Sequence, residues 1–225
     1  MSNDVYPWKF NRKLSFNRRP IIKTNGTIIW GNRQLYHCLL FMLDLINEGR
    51  LKVDSREMKE YLGHVANKRG DCFNEKVFEK LSTINGIIVR KKIKKINGKK
   101  VAAENGQDLG DIDVLIIKPD RKKIIVVETK DFSFSKTPYE MHQEYLSVFC
   151  DNGKKLCYIS KHKRRLLWVQ EHINDVLQQY SLVNGNWKVQ DLLITSDSIT
   201  SNEFYHQKQK MLLFSEITAS NIHKL

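Results

Sequence analysis

Two short stretches of this 225-residue sequence set ionisable side chains into otherwise apolar runs. In Gly110-Asp111-Ile112-Asp113-Val114-Leu115-Ile116-Ile117 the aliphatic and β-branched residues favour an extended strand. Side chains two apart on a strand project to the same side, so Asp111 and Asp113 are expected to point together. In Ile125-Val126-Val127-Glu128-Thr129-Lys130 the same period pairs Glu128 with Lys130 where the strand leaves the core. Ionised groups beside Val and Ile cost on the order of several kcal/mol each unless something compensates. A hard cation is one such compensation. Carboxylate oxygens are the ligands Mg²⁺ takes, and a metal on a phosphate polarises phosphorus, activates water and stabilises the leaving oxygen. A lysine alongside can hold the attacking water or offset the developing charge.

The elements that position these residues are legible on both sides of them. Asp111 to Lys118 and Lys123 to Lys130 are β-branched runs separated by Pro119-Asp120-Arg121, which predicts a strand hairpin at the centre of a sheet. Upstream, Phe73, Val77, Phe78 and Leu81 recur at helical spacing from Asp71 and stop before Asn85-Gly86, a helix that also carries Glu75 and Glu79. Gly86 to Ile96 alternates as a strand does and halts at Asn97-Gly98, a dipeptide suited to a tight turn with positive φ. Downstream come a helix around Tyr139 to Phe149 and a longer helix through Leu166, Val169, Ile173, Val176 and Tyr180. A strand at Trp187 to Thr195 and a last one at Met211 to Phe214 complete the order. There is no internal repeat and no low-complexity segment.

Ahead of this block, residues 1 to 32 mix basic and aromatic groups (Trp8, Lys9, Phe10, Arg12, Lys13, Phe16, Arg18, Arg19), as in an arm lying on a phosphate backbone, a protein partner or its own domain. Ile21-Ile22 and Ile28-Ile29 suggest short strands. Residues 33 to 48, apolar almost all round, predict a buried helix. Ser55 caps a short helix expected to end near Gly63, and Asn67-Lys68-Arg69-Gly70 then reads as a linker. The expected organisation is therefore a basic arm with a helical extension over residues 1–69 and a catalytic domain over 70–225.

Taken together, a helix bearing an acid, a strand, Gly-Asp-Ile-Asp113 on a second strand, Glu128-Thr-Lys130 on a third, then a helix and a strand resembles the PD-(D/E)xK, or restriction-endonuclease-like, nucleases. The resemblance covers roughly residues 70 to 196 and leans toward the nuclease-related and type IV restriction branch. It implies an α/β fold in which a mixed central sheet is flanked by helices in αβββαβ order. It implies that Asp113, Glu128 and Glu75 bind Mg²⁺ or Mn²⁺, that Lys130 is the catalytic lysine, and that the protein is an endonuclease acting in host defence or restriction. Glu79, one turn beyond Glu75, is the alternative helical acid. A bare acid-x-Lys is common by chance, so the weight lies in its setting: an apolar strand ending in it, a Gly-x-x-Asp strand before it and an acid-bearing helix upstream.

Composition bears on partners. Lys and Arg outnumber Asp and Glu 38 to 25, a net charge of +13, which favours a polyanion, DNA ahead of RNA, although a lysine-rich solvated surface would give the same count. Gln143, Lys161, Lys163 and Arg164 are candidate nucleic-acid contacts, Gln143 from the resemblance and the others from the basic run Lys161-His162-Lys163-Arg164-Arg165. Arg90 to Lys95 and Lys99-Lys100 are weaker candidates. Cys38, Cys72, Cys150 and Cys157 form no CxxC pair, and the seven histidines show no HxH or HExxH spacing, so a reduced cytoplasmic protein without structural zinc is expected. The longest apolar run, Cys38 to Ile46, carries Asp44 and is too short to span a bilayer. Cutting both strands of a duplex commonly takes two active sites, so a homodimer or larger complex through the N-terminal extension is expected. The rival reading is a catalytically silent nucleic-acid-binding or assembly module.

Overall fold

Gly49 and the long helix that follows it set the frame of the N-terminal part. The computed structural model describes residues 19–49, 51–132, 138–153, 155–199, 201–204 and 209–225, so the arm at residues 8 to 19 lies outside them but for Arg19. The chain divides into two compact units, residues 1–71 with 135–142 and residues 72–134 with 143–225, and each is taken by itself.

In the first unit β1 (Ile21–Thr24) and β2 (Thr27–Trp30) form an antiparallel hairpin turning at Asn25-Gly26, whose φ angles of 45° and 78° are those of the hairpin-favouring turn. Helix α1 (Asn32–Asn47) follows and overturns an expectation. Leu45 is its buried residue, whereas Tyr36, Leu39, Leu40 and Leu43 face solvent. A helix apolar on every side needs cover on every side, and the described elements of this unit do not supply it. Gly49, with φ of +65°, ends the turn in the left-handed region that favours glycine, and a Cβ there would press on Ala66 at 3.3 Å.

Helix α2 (Arg56–Ser82) begins at Ser55, whose Oγ accepts from the Met58 amide at 3.3 Å. It then runs on through the expected stop at Gly63 and the expected linker at 67–70. Each glycine weakens a helix by only about 1 kcal/mol, no proline intervenes, and a Cβ at either glycine would meet nothing within 4 Å.

The second unit is built on a five-stranded sheet in the order β3-β6-β7-β8-β9: β3 (Ile88–Ile93), β6 (Ile112–Lys118), β7 (Lys123–Lys130), β8 (Lys188–Thr195) and β9 (Met211–Leu213). The pairs β3–β6 and β6–β7 are antiparallel, and β7, β8 and β9 run parallel, which is the mixed sheet expected. β6 and β7 form the central hairpin, joined by the 3₁₀ turn Pro119–Arg121. One face packs Val114, Ile116, Ile125, Val127 and Ile194 against Phe73, Val77 and Leu81 of α2 and Ile222 of α7 (Ala219–Lys224). The other packs Leu115, Ile117, Ile124 and Val126 against Trp168 and Val169 of α4 (Tyr158–Glu171) and Val176 and Leu177 of α5 (Ile173–Gln179). Helix α3 (Pro138–Phe149) contributes Val148 to a smaller cluster with Cys157, Ile159 and Leu193.

Two elements predicted as continuous are broken. The strand over Gly86 to Ile96 is β3 plus β4 (Lys95–Ile96), and β4 pairs with β5 (Lys99–Lys100) across the expected Asn97-Gly98 turn. The helix through Leu166 and Tyr180 is α4 and α5, parted at His172. Its ring stacks on Trp168 at 4.3 Å and sets Nδ1 against the Trp168 carbonyl at 2.9 Å, ending α4 there. The apolar period survives the break because Val169, Ile173 and Val176 stay on the sheet side, which is why the sequence reads as one helix.

Candidate active site

The β6–β7 ladder stops at the pair Val114↔Val127. Beyond it the strands fork, and the amide of Thr129 donates to Oδ2 of Asp113 at 2.8 Å while its hydroxyl reaches the same oxygen at 3.2 Å. A side-chain carboxylate thus stands in for the missing strand as acceptor. Lys92, with φ of +49°, lies opposite Asp113 in the step from Lys91↔Val114 to Ile93↔Ile112. Among the described residues no hydrogen bond reaches Oδ1 of Asp113.

At this fork β7 presents Glu128 and Lys130 on the α4 side of the sheet. Lys130 Nζ lies 2.8 Å from Oε1 of the buried Glu128 and 4.8 Å from the ring centroid of Tyr158. Helix α4 turns two further polar groups onto the same carboxylate. Arg165 donates through one Nη to Oε2 of Glu128, and its other Nη donates to the Leu109 carbonyl at 3.1 Å. His162 is fully buried, its Nδ1 is 3.9 Å from Oε2 of Glu128, and among the described residues neither ring nitrogen has a hydrogen-bond partner.

The charges sort the carboxyls into two kinds. Burial alone would raise Glu128, but Lys130 and then Arg165 outweigh it and hold the group below the ordinary range, a permanent anion at neutral pH. Asp113 goes the other way. Burial, reinforced by the negative charge of Glu128, lifts its carboxyl to about 6, against the opposing pull of Lys130 and the Thr129 amide. Lys130 loses by burial but gains more from Glu128 and Asp113, so its ammonium is held more firmly than usual. Burial lowers His162, which leaves the imidazole neutral at pH 7.

Three of the predicted residues, Asp113, Glu128 and Lys130, are therefore brought together. Others are placed differently. Asp111 precedes β6 and pairs with Lys94 at 3.8 Å instead of joining Asp113. Glu75 is an ion-pair partner of Lys91 on β3, and Glu79 is exposed. Among the described residues no group of three or more His, Cys, Asp or Glu side chains is set to hold a metal. Gln143, Lys161 and Lys163 are exposed, and Arg164 donates to Gln107 at 2.9 Å. The basic run at 161–165 is split by the helix: Lys161 and Lys163 outward, Arg164 half-buried, His162 and Arg165 inward. The signal was present in the sequence, since Ile159, His162, Arg165 and Trp168 recur every three residues on what proves to be the buried stripe.

As ligands for a divalent cation, the residues fit in part. Asp113 offers an Oδ1 that accepts no hydrogen bond among the described residues, on a carboxyl that burial and Glu128 raise. Glu128 would share an oxygen already facing a cation, which its roughly four lone-pair sites permit. No curated protein and no solved structure matches the chain. No helix among the described residues is long and apolar enough to cross a membrane. Residues 1–205 match the family described as anti-phage protein Upx-like. The match spans the fork at Asp113 and Glu128, the α4 residues that close on it and most of the sheet, so this chain belongs to the anti-phage protein Upx-like family and has a role in phage defence.

Proposed function

We propose that the chain contributes to phage defence as a metal-dependent nuclease of PD-(D/E)xK type, hydrolysing phosphodiester bonds, of DNA in preference to RNA. The observation that carries this reading is the fork itself: a buried anion, Glu128, with Lys130 at 2.8 Å, beside a carboxyl at Asp113 raised to about 6 by burial and by the negative charge of Glu128. The order of helix, three antiparallel strands, helices and a parallel strand supports the same resemblance. Bound at Asp113 and Glu128, Mg²⁺ or Mn²⁺ would supply Lewis acidity toward a phosphoryl oxygen and a more acidic water. Lys130 keeps its ammonium charged at the mouth of the fork, where it offsets negative charge developing on phosphorus-bound oxygens. Arg165 and Thr129 hold Glu128 and Asp113 in place.

The test is incubation of plasmid and single-stranded DNA with the protein in Mg²⁺, Mn²⁺ or EDTA. Metal-dependent nicking that disappears in Asp113→Asn supports the reading. A second reading, a silent nucleic-acid-binding module, is favoured by the cations on both Glu128 oxygens and by the pairing of Glu75 with Lys91. Retardation of DNA without cutting under every metal condition would select it.

A further inference from the structure

The sheet carries a second concentration of charge at its opposite end and on its opposite face. Lys118, Lys123 and Lys188 are register partners across three adjacent strands, Lys118↔Lys123 on β6–β7 and Lys123↔Lys188 on β7–β8. Like charges directly opposed on neighbouring strands are destabilising, so a row of three asks for a reason. Part of the answer is α7. Lys118, fully buried, donates to the carbonyls of Ile222 at 3.2 Å and His223 at 3.1 Å, and Lys123 donates to the Leu225 carbonyl. The helix thus covers two of the three with the negative end of its dipole.

Among the described residues the remaining cations have no such cover, and Arg121, Lys188 and Lys210 are exposed around the row. Lys123 is lowered first by burial and then by Lys210, Arg121 and Lys188, and Lys118 by burial and then by Arg121 and Lys123, so these charges act on one another at close range. Asp120, 3.9 Å from Arg121, is the carboxylate that opposes them.

We infer that the turn Pro119–Arg121 with Lys188 and Lys210 forms an anion-binding surface that takes the phosphate backbone of duplex nucleic acid, separate from the fork at Asp113. Point cations without a planar acceptor partner or a stacking aromatic suit sequence-independent phosphate binding. A membrane surface would call for apolar side chains set among the cations. Among the described residues of this unit the exposed large apolar side chains are Leu146, Leu167 and Val183, none of them on β6, β7, β8 or the turn. The surface lies beyond β7, whose eight residues span roughly 23 Å at about 3.3 Å per residue, so it would hold the duplex away from the proposed site of cutting. The inference stands on this charge arrangement and not on the nuclease reading.

The test is fluorescence anisotropy of a labelled 30-base-pair duplex, in EDTA so that no cutting occurs, across a salt series. Three proteins are compared: the native chain, Arg121→Glu/Lys188→Glu/Lys210→Glu, and a control with the same change in charge, Lys52→Glu/Lys59→Glu/Lys68→Glu. Each phosphate that is no longer neutralised should flatten the slope of log affinity against log salt by about 0.9, so the first triple variant should lose roughly two to three in slope and tenfold or more in affinity while the control changes little. Single Lys188→Gln and Lys210→Gln variants, each flattening the slope by about 0.9, keep the question decidable if the triple variant melts. Equal losses in patch and control variants, no binding by the native chain, or patch-dependent binding to anionic vesicles in place of duplex would each overturn the inference. Nicking assays on Asp113→Asn report on the fork alone, so the two readings can fail separately.

Discussion

Arg165 on α4 and Lys130 on β7 each hold one oxygen of Glu128, so a single carboxylate joins the helix to the central strand with a cation on either side. Removing one cation of a buried group costs roughly 3–5 kcal/mol when nothing replaces it. Lys130 remains in Arg165→Met, which places the loss at the lower end, a fall in melting temperature of roughly 6–12 °C for a domain of this size. Arg165→Met with Glu128→Leu should recover much of it, and thermal melts of the four proteins in the cycle measure the coupling.

Lys130→Ala separates chemistry from architecture. If Lys130 stabilises the transition state, cleavage should fall on the order of a hundredfold or more while the fold survives. A variant that melts earlier yet cuts at a near-native rate would assign Lys130 to the ion pair with Glu128 alone. A melting curve and a cleavage time course on one preparation decide it.

Asp113 gives a pH prediction with a definite sign. Its carboxyl is raised to about 6, so between about pH 4 and 6 the folded protein binds this proton more tightly than the unfolded chain, and stability from this group falls as pH rises through that window. Above pH 6 the penalty levels off at about 3 kcal/mol, from roughly two pKa units at about 1.36 kcal/mol each. Asp113→Asn keeps an oxygen for the Thr129 amide and abolishes the penalty. Urea midpoints in EDTA should diverge between native and variant from pH 4 to 6 and stay parallel above it.

Divalent cations should reverse that penalty. At pH 7 millimolar Mg²⁺ or Mn²⁺ should raise the melting temperature of the native chain, by binding the folded state alone, and leave Asp113→Asn where it was. Equal shifts in both proteins, followed by calorimetry, would place the metal elsewhere.

Helix α2 predicts a gain. Gly63→Ala and Gly70→Ala add a Cβ that meets nothing within 4 Å, and each should stabilise by about 0.4–1 kcal/mol through the unfolded chain. Helical circular dichroism and urea midpoints measure it, and a loss at either site would mean that the helix there needs glycine.

The central hairpin was legible because β-branched runs bounded by Pro119-Asp120-Arg121 admit little else, and Asp113, Glu128 and Lys130 came with it by strand period. What stayed hidden depends on tertiary contact. Arg165 and His162 vanish inside a run of five basic residues until the helix phase is known, and the pairing of Glu75 with Lys91 shows only once helix and strand are packed together. Gly63 and Gly70 looked like punctuation because propensity alone weighs them, whereas a helix ends where its capping and packing end. Exposure of Leu39 and Leu43 on α1 is beyond any sequence pattern, since hydropathy reports what a side chain prefers and not what neighbours are there to cover it.

The bond from the Thr129 amide to Asp113 makes one peptide hydrogen a gauge of the fork. An amide inside a ladder exchanges with solvent only when strands part, but this one is shielded by a side chain whose charge can change. Its exchange should respond to whatever engages Asp113, a proton or a ligand, while its neighbours in β7 keep their protection, so that occupancy of the fork could be followed at a single backbone position without any assay of activity.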